Sequence, residues 1–138
     1  MAYKHLFVDS DILLDLLLNR NPFYTHTQFL MFESERERIK LYTSALIIAN
    51  IHYILAKKIG AGAAKESLKE LVRLIKILPF EIDAINIALT SPIVDFEDAI
   101  QSFIAETNKC EAIITRNIKD YKQANLPVLT AEQFLNTL

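Results

Sequence analysis

Apolar and polar positions along this chain follow two different periods. Short apolar runs, Leu6-Phe7-Val8, Ala112-Ile113-Ile114 and Leu126 to Leu129, have the length and branched content of strands buried on both faces. Between them apolar residues recur every three or four positions, the mark of helices with one face in a core. The pattern predicts a strand over His5 to Asp9, then a helix capped by Ser10 or Asp11 and ended by Asn19-Arg20-Asn21-Pro22. A helix from Phe23 to about Arg36 and a brief strand over Ile39 to Tyr42 follow. Ser44 opens a strongly apolar helix to about Ile59, stopped by Gly60 and Gly62. Ala63 to Lys76 is amphipathic, and Ile77 to Ile82, with Pro79 inside it, reads as a short strand or extended link. Asp83 starts a helix that ends near Pro92, and Asp95 caps another with Phe96, Ala99, Ile100, Phe103 and Ile104 on its apolar face. Thr130 and Gln133 make a capping box for a last helix.

Strands this short, alternating with helices, imply an α/β chain: a three-layer α/β/α sandwich with a short, mostly parallel central sheet. The length, 138 residues, is that of a single domain spanning 1–138, and a chain of this size buries roughly 68–70% of its unfolded surface. Two glycines are too few for a phosphate-binding loop, a dinucleotide fingerprint or a nucleophile elbow. Cys110 stands alone, so it has no disulfide partner in the chain; it reads as a small core residue in a reducing compartment. No apolar run approaches the ~20 residues needed to span a bilayer, and no charged-then-apolar leader is visible. A cytoplasmic protein with no membrane contact is expected.

The net charge of −2 is no signature of a nucleic-acid coat, but its distribution is uneven. Lys65, Lys69, Arg73 and Lys76 line one helix face, with Glu66 and Glu70 beside them. That stripe is either a solvated face or a track for a phosphate backbone.

The acids carry the chemistry. Asp9-Ser10-Asp11 lies where the first strand gives way to a helix, so it falls at the carboxyl edge of the sheet, where open α/β folds bind ligands. Two further clusters are Asp95-Phe96-Glu97-Asp98, and Thr115-Arg116-Asn117 with Asp120. Each has a local explanation: Asp95 and Asp11 can cap helices, and Asp15 reads more as a surface acid than as support for a site. Two carboxylates ~4 Å apart repel by roughly 4 kcal/mol at an effective dielectric of about 20. A fold that gathers these clusters therefore favours a hard cation among them, Mg²⁺ or Mn²⁺. His5, His26 and His52 have no spacing that suits zinc.

Taken in order, these segments resemble the PIN-domain nucleases. Leu6 to Asp15 is similar to the opening block of that family, Thr43 to Asn50 to its second, Asp95 to Ile100 to its third and Ile113 to Tyr121 to its fourth. The resemblance implies a Mg²⁺- or Mn²⁺-dependent endoribonuclease, in many single-domain members the toxin of a toxin–antitoxin pair (the VapC-like group), commonly dimeric and inhibited by a small antitoxin protein. Carried over by position, Asp9 and Asp98 are the catalytic, metal-holding acids, with Asp95 and Asn117 also on the metal. Asp11, Asn50, Thr115 and Asp120 support them. Arg116 and Lys119, with Lys65, Lys69 and Arg73, are the candidates for holding RNA. Asn50 departs from the pattern, standing where the second block usually carries a glutamate. The alternative reading is a catalytically degenerate PIN-like module that binds RNA or protein without cutting. An aspartyl phosphotransferase of the haloacid-dehalogenase kind fits less well, because Leu13 occupies the place of its threonine or valine.

Overall fold

The computed structural model describes residues 3–138. Its strands are β1 (His5–Val8), β2 (Lys40–Ser44), β3 (Lys76–Leu78), β4 (Ala112–Ile114) and β5 (Val128–Leu129). All pair in parallel, in the order β3-β2-β1-β4-β5. Leu6, Phe7, Ala112, Ile113 and Ile114 are wholly buried, as expected for central strands of a sheet covered on both sides.

The helices are α1 (Ser10–Leu17), α2 (Phe23–Glu35), α3 (Ala45–Ile59), α4 (Ala61–Leu74), α5 (Ile82–Ala88), α6 (Phe96–Thr107) and α7 (Ala131–Leu135), with a 3₁₀ turn over Ile118–Tyr121. The chain builds outward from β1 to β3, then returns past β1 to β4 and β5. Right-handed crossovers put the helices of the outward and return journeys on opposite faces. The packing agrees: α1, α2, α3, α4 and α7 lie against one another, while α5 pairs with α6. The reversal falls between β1 and β4, and it brings the residues that follow these two strands side by side.

Several boundaries differ from the sequence expectation: Asp9 and not Ser10 or Asp11 caps α1, β2 runs on to Ser44, and α5 ends at Ala88, short of Pro92. The amphipathic helix α4 starts at Ala61 and takes in Gly62, so only Gly60 separates it from α3. Gly60 has φ +87°, a conformation that strains any L side chain. Strand β3 lies at Lys76–Leu78, ahead of the expected Ile77 to Ile82. Pro79 has no N–H to give to a ladder, and pairing with β2 stops just before it.

Candidate metal centre at the carboxyl edge

Asp9 is the residue after β1, and its backbone N–H still bonds to Ile114 of β4, at 3.0 Å. It is also the N-cap of α1: its Oδ1 accepts from the Ser10 N–H at 2.8 Å. Across the switch point, the Thr115 hydroxyl donates to Asp9 Oδ2 at 2.9 Å and lies 3.3 Å from Asp11 Oδ2. Having one proton, Thr115 gives it to the nearer acid. Asp11 Oδ2 instead receives the Arg116 N–H at 2.9 Å, and the Asn117 N–H closes the turn onto the Thr115 hydroxyl at 3.1 Å. Asp11 Oδ1 is buried with no partner.

Asp98 arrives from the first turn of α6. Asp95 caps that helix, its Oδ1 accepting the Asp98 N–H at 2.9 Å. Partial burial, then the charges of Asp9, Asp95 and Asp120, push the Asp98 carboxyl up to about 7. Burial, then Asp11, pushes Asp9 up to about 6, and burial also raises Asp11. Asp9 and Asp98 thus feel one another directly, from segments far apart in sequence. The fully buried Tyr121 hydroxyl faces both; it meets neither in full hydrogen-bond geometry, and burial with the two carboxylates drives its own ionisation far up. Sequence reasoning passed over Tyr121, whose only mark is being the one aromatic residue in the polar run after β4.

Other expectations change. Asp15 is no surface acid: it is completely buried, clasped by Arg116 through Nε to Oδ2 at 2.9 Å and through a terminal nitrogen to Oδ1 at 3.0 Å. Arg20 adds an Nε contact to Oδ1 at 3.0 Å, and the Arg116 guanidinium lies over the Phe23 ring at 4.1 Å. The Arg116 side chain is therefore engaged in holding α1 to the β4 edge. Asn50 turns its amide nitrogen toward Glu97, 3.4 Å from each carboxylate oxygen. In the basic stripe, Lys69 pairs with Glu66 at 3.1 Å and Arg73 with Glu70 at 3.8 Å; with Lys65 they lie on exposed faces of α4, whose packing is mainly against α3. Lys119 and Asp120 line a cleft of about 480 Å³ with Asp95 and Phe96. Arg116 and Asn117 line a second, also about 480 Å³, with Phe23 and His26.

Among the described residues, no three carboxylate, imidazole or thiolate groups converge closely enough to enclose an ion. The donors at the edge are nonetheless hard oxygens throughout, the set that suits Mg²⁺ or Mn²⁺. Facing acids that hold protons toward neutrality, beside an unpartnered buried hydroxyl, are the surroundings that a divalent cation relieves. An open site resting on Asp9 and Asp98 fits such an ion.

A doubly wound parallel sheet with acids gathered at its switch point is the architecture of α/β proteins that bind ligands at the carboxyl edge. The PIN domain family model matches residues 5–119, and the chain belongs to the PIN-domain family. It is similar to Ribonuclease VapC1 of Aquifex aeolicus (strain VF5), with 26% identity over 139 residues covering 97% of this chain and 95% of that one. Its fold matches the DNA-bound VapBC of Salmonella typhimurium (TM-score 0.70, 9% identity, 93% of this chain and 98% of that one). It also matches a toxin–antitoxin complex from Klebsiella pneumoniae (TM-score 0.67, 22% identity, 91% and 97%).

Proposed function

We propose that this chain is a divalent-metal-dependent endoribonuclease of PIN type, the toxin of a toxin–antitoxin pair, hydrolysing RNA phosphodiester bonds. The observation that carries the reading is the meeting of Asp9 and Asp98 at the switch point of a PIN fold. The similarity to a ribonuclease, and to proteins seen with their antitoxins, supports it. No helix among the described residues is long and apolar enough to cross a membrane, and the reading puts the protein in the cytoplasm, with its RNA.

When bound, Mg²⁺ or Mn²⁺ supplies Lewis acidity, polarising the scissile phosphate and easing the ionisation of water. The protein's share is placement and charge. Asp9 and Asp98, with Asp95 and Asn117, would hold the ion, and Asp120 would support them. Thr115 fixes the Asp9 carboxylate by its 2.9 Å bond and so sets the direction from which Asp9 offers its free electron pairs. Lys119, in the cleft it shares with Asp95 and Asp120, offers positive charge to the RNA backbone beside the cut, while Arg116, its guanidinium committed to Asp15, braces the edge. The antitoxin is a small protein, and the exposed Phe29 and Phe32 of α2 offer apolar area to it or to a second copy of the chain.

The test is a calorimetric titration of Mn²⁺ into the purified protein, beside an RNA cleavage assay, with Asp98→Asn as control. Saturable binding and cleavage that the substitution removes are expected. Absence of both in the unsubstituted protein would leave the fold as a binding module.

A further inference from the structure

Asn50 brings no charge to the edge, yet it is not alone there. Its amide nitrogen stands 3.4 Å from both oxygens of Glu97, joining α3 to the first turn of α6. One turn further along α6, buried Gln101 accepts from the Ser44 hydroxyl at 2.6 Å, and Ser44 is the residue that caps α3. Glu97 and Gln101 are four apart and share a helix face. That face is fixed against the start of α3 at two successive levels.

The next residue, Asp98, is turned by about 100° around the helix, toward Asp9 and Tyr121. The first turn of α6 therefore presents two carboxylates in two directions, Asp98 to β1 and Glu97 to α3. Among the described residues no lysine, arginine or histidine forms an ion pair with Glu97, so its charge is not neutralised within the chain. The fully buried, unpartnered Tyr121 hydroxyl aimed at Asp9 and Asp98 marks the same edge as a place for a ligand. An Asn50 amide whose nitrogen points at Glu97 has its oxygen directed away from that carboxylate.

We infer that Glu97 supplies the negative charge of the cation site on its α3 side, with Asn50 as the positioning residue that holds it. The acid of that quarter is delivered by α6 instead of α3. This inference rests on the metal-dependent reading above.

The experiment is Mn²⁺ titration calorimetry on the full chain for the unsubstituted protein, Glu97→Gln, Asp98→Asn and the double variant Asn50→Glu/Glu97→Gln, with RNA cleavage followed in parallel. Glu97 is exposed, so Glu97→Gln should keep the thermal midpoint of the parent. It should weaken Mn²⁺ binding by about 10–100-fold, and the double variant should recover most of that loss, because charge returned on α3 replaces charge removed from α6. Unchanged affinity in Glu97→Gln while Asp98→Asn loses the ion would overturn the assignment and leave Glu97 a surface acid. Failure of the double variant to recover binding would overturn it as well. If Asp98→Asn binds Mn²⁺ like the parent, the cation site itself is wrong and the role of Glu97 falls with it.

Discussion

The hydroxyl of Thr115 gives its single proton to Asp9 Oδ2 at 2.9 Å, across the point where the sheet reverses direction. Both residues are buried. The bond favours the charged form of a carboxyl that burial otherwise neutralises. Thr115→Val keeps the shape and removes the donor, leaving Asp9 without it and the Asn117 N–H without its acceptor. A cost of about 1–3 kcal/mol in urea unfolding is expected, together with weaker Mn²⁺ binding at neutral pH, because Asp9 then holds its proton more tightly. Thr115→Ser, which retains the hydroxyl, should recover both. Parent-like values in Thr115→Val would show that the bond orients nothing.

The same two acids set a pH dependence. Asp9 is pushed from the ordinary 3.8 to about 6 and Asp98 to about 7. The groups facing them are Asp11 from α1, Asp95 from the α6 cap, and Asp120 and Tyr121 from the 3₁₀ turn. The folded chain thus holds protons that the unfolded chain has released, so stability falls as pH rises. The favourable contribution is complete below the unfolded value and is lost as pH climbs through the two folded values. Urea midpoints of the metal-free protein should fall between about pH 5 and about pH 7.5, and fall less in Asp98→Asn. Millimolar Mn²⁺ should hold up the neutral end of the curve. A flat profile for the metal-free protein would mean that the two acids are less buried than the structure has them.

Much of this architecture could be read in advance, because its signals are local. An apolar triplet ending in Asp9 marks a strand that stops at a sheet edge, and the Thr130–Gln133 capping box announces α7 three residues ahead, as the structure bears out. The site is another matter. That Asp95 caps a helix is legible, whereas the cap of α1 is Asp9 and not the expected Ser10 or Asp11, and a cap facing solvent and a cap facing another acid have the same local sequence. The burial of Asp15 depends on Arg116, 101 positions away. The Asn50–Glu97 contact depends on how α3 and the first turn of α6 meet over the carboxyl edge of the sheet, and Tyr121 reaches the acids only because a 3₁₀ turn follows β4. Each is a relation between elements, and a one-dimensional pattern carries none of them.

Cys110 offers a check on the core next to β4. It is buried, and that burial, aided by the charge of Glu111, pushes its thiol up to about 12. The thiolate is the reactive form, so the native protein should react with a thiol reagent such as Ellman's only as fast as it opens. Full and rapid labelling is expected in denaturant. Fast stoichiometric labelling of the native chain would place Cys110 at the surface.

Asp15 should be the most expensive of the acids to disturb. It is 0% exposed and its charge is met by two arginines: Arg116 through two nitrogens, and Arg20 through one. Arg20 also reaches the Asp11 carbonyl at 3.3 Å, so α1 is tied at two levels. Removing one partner from a buried pair leaves an uncompensated charge and costs about 3–5 kcal/mol. Arg116→Ala should approach that figure by urea unfolding. It loses the two-pronged grip and the contact with Phe23, yet keeps the backbone N–H that holds Asp11. Arg20→Ala should cost less, since Arg20 contributes one contact to the carboxylate and is itself 37% exposed. The order of the two variants is the discriminating result. Equal and small effects, each within about 1 kcal/mol of the parent, would mean that the clasp adds little to the fold.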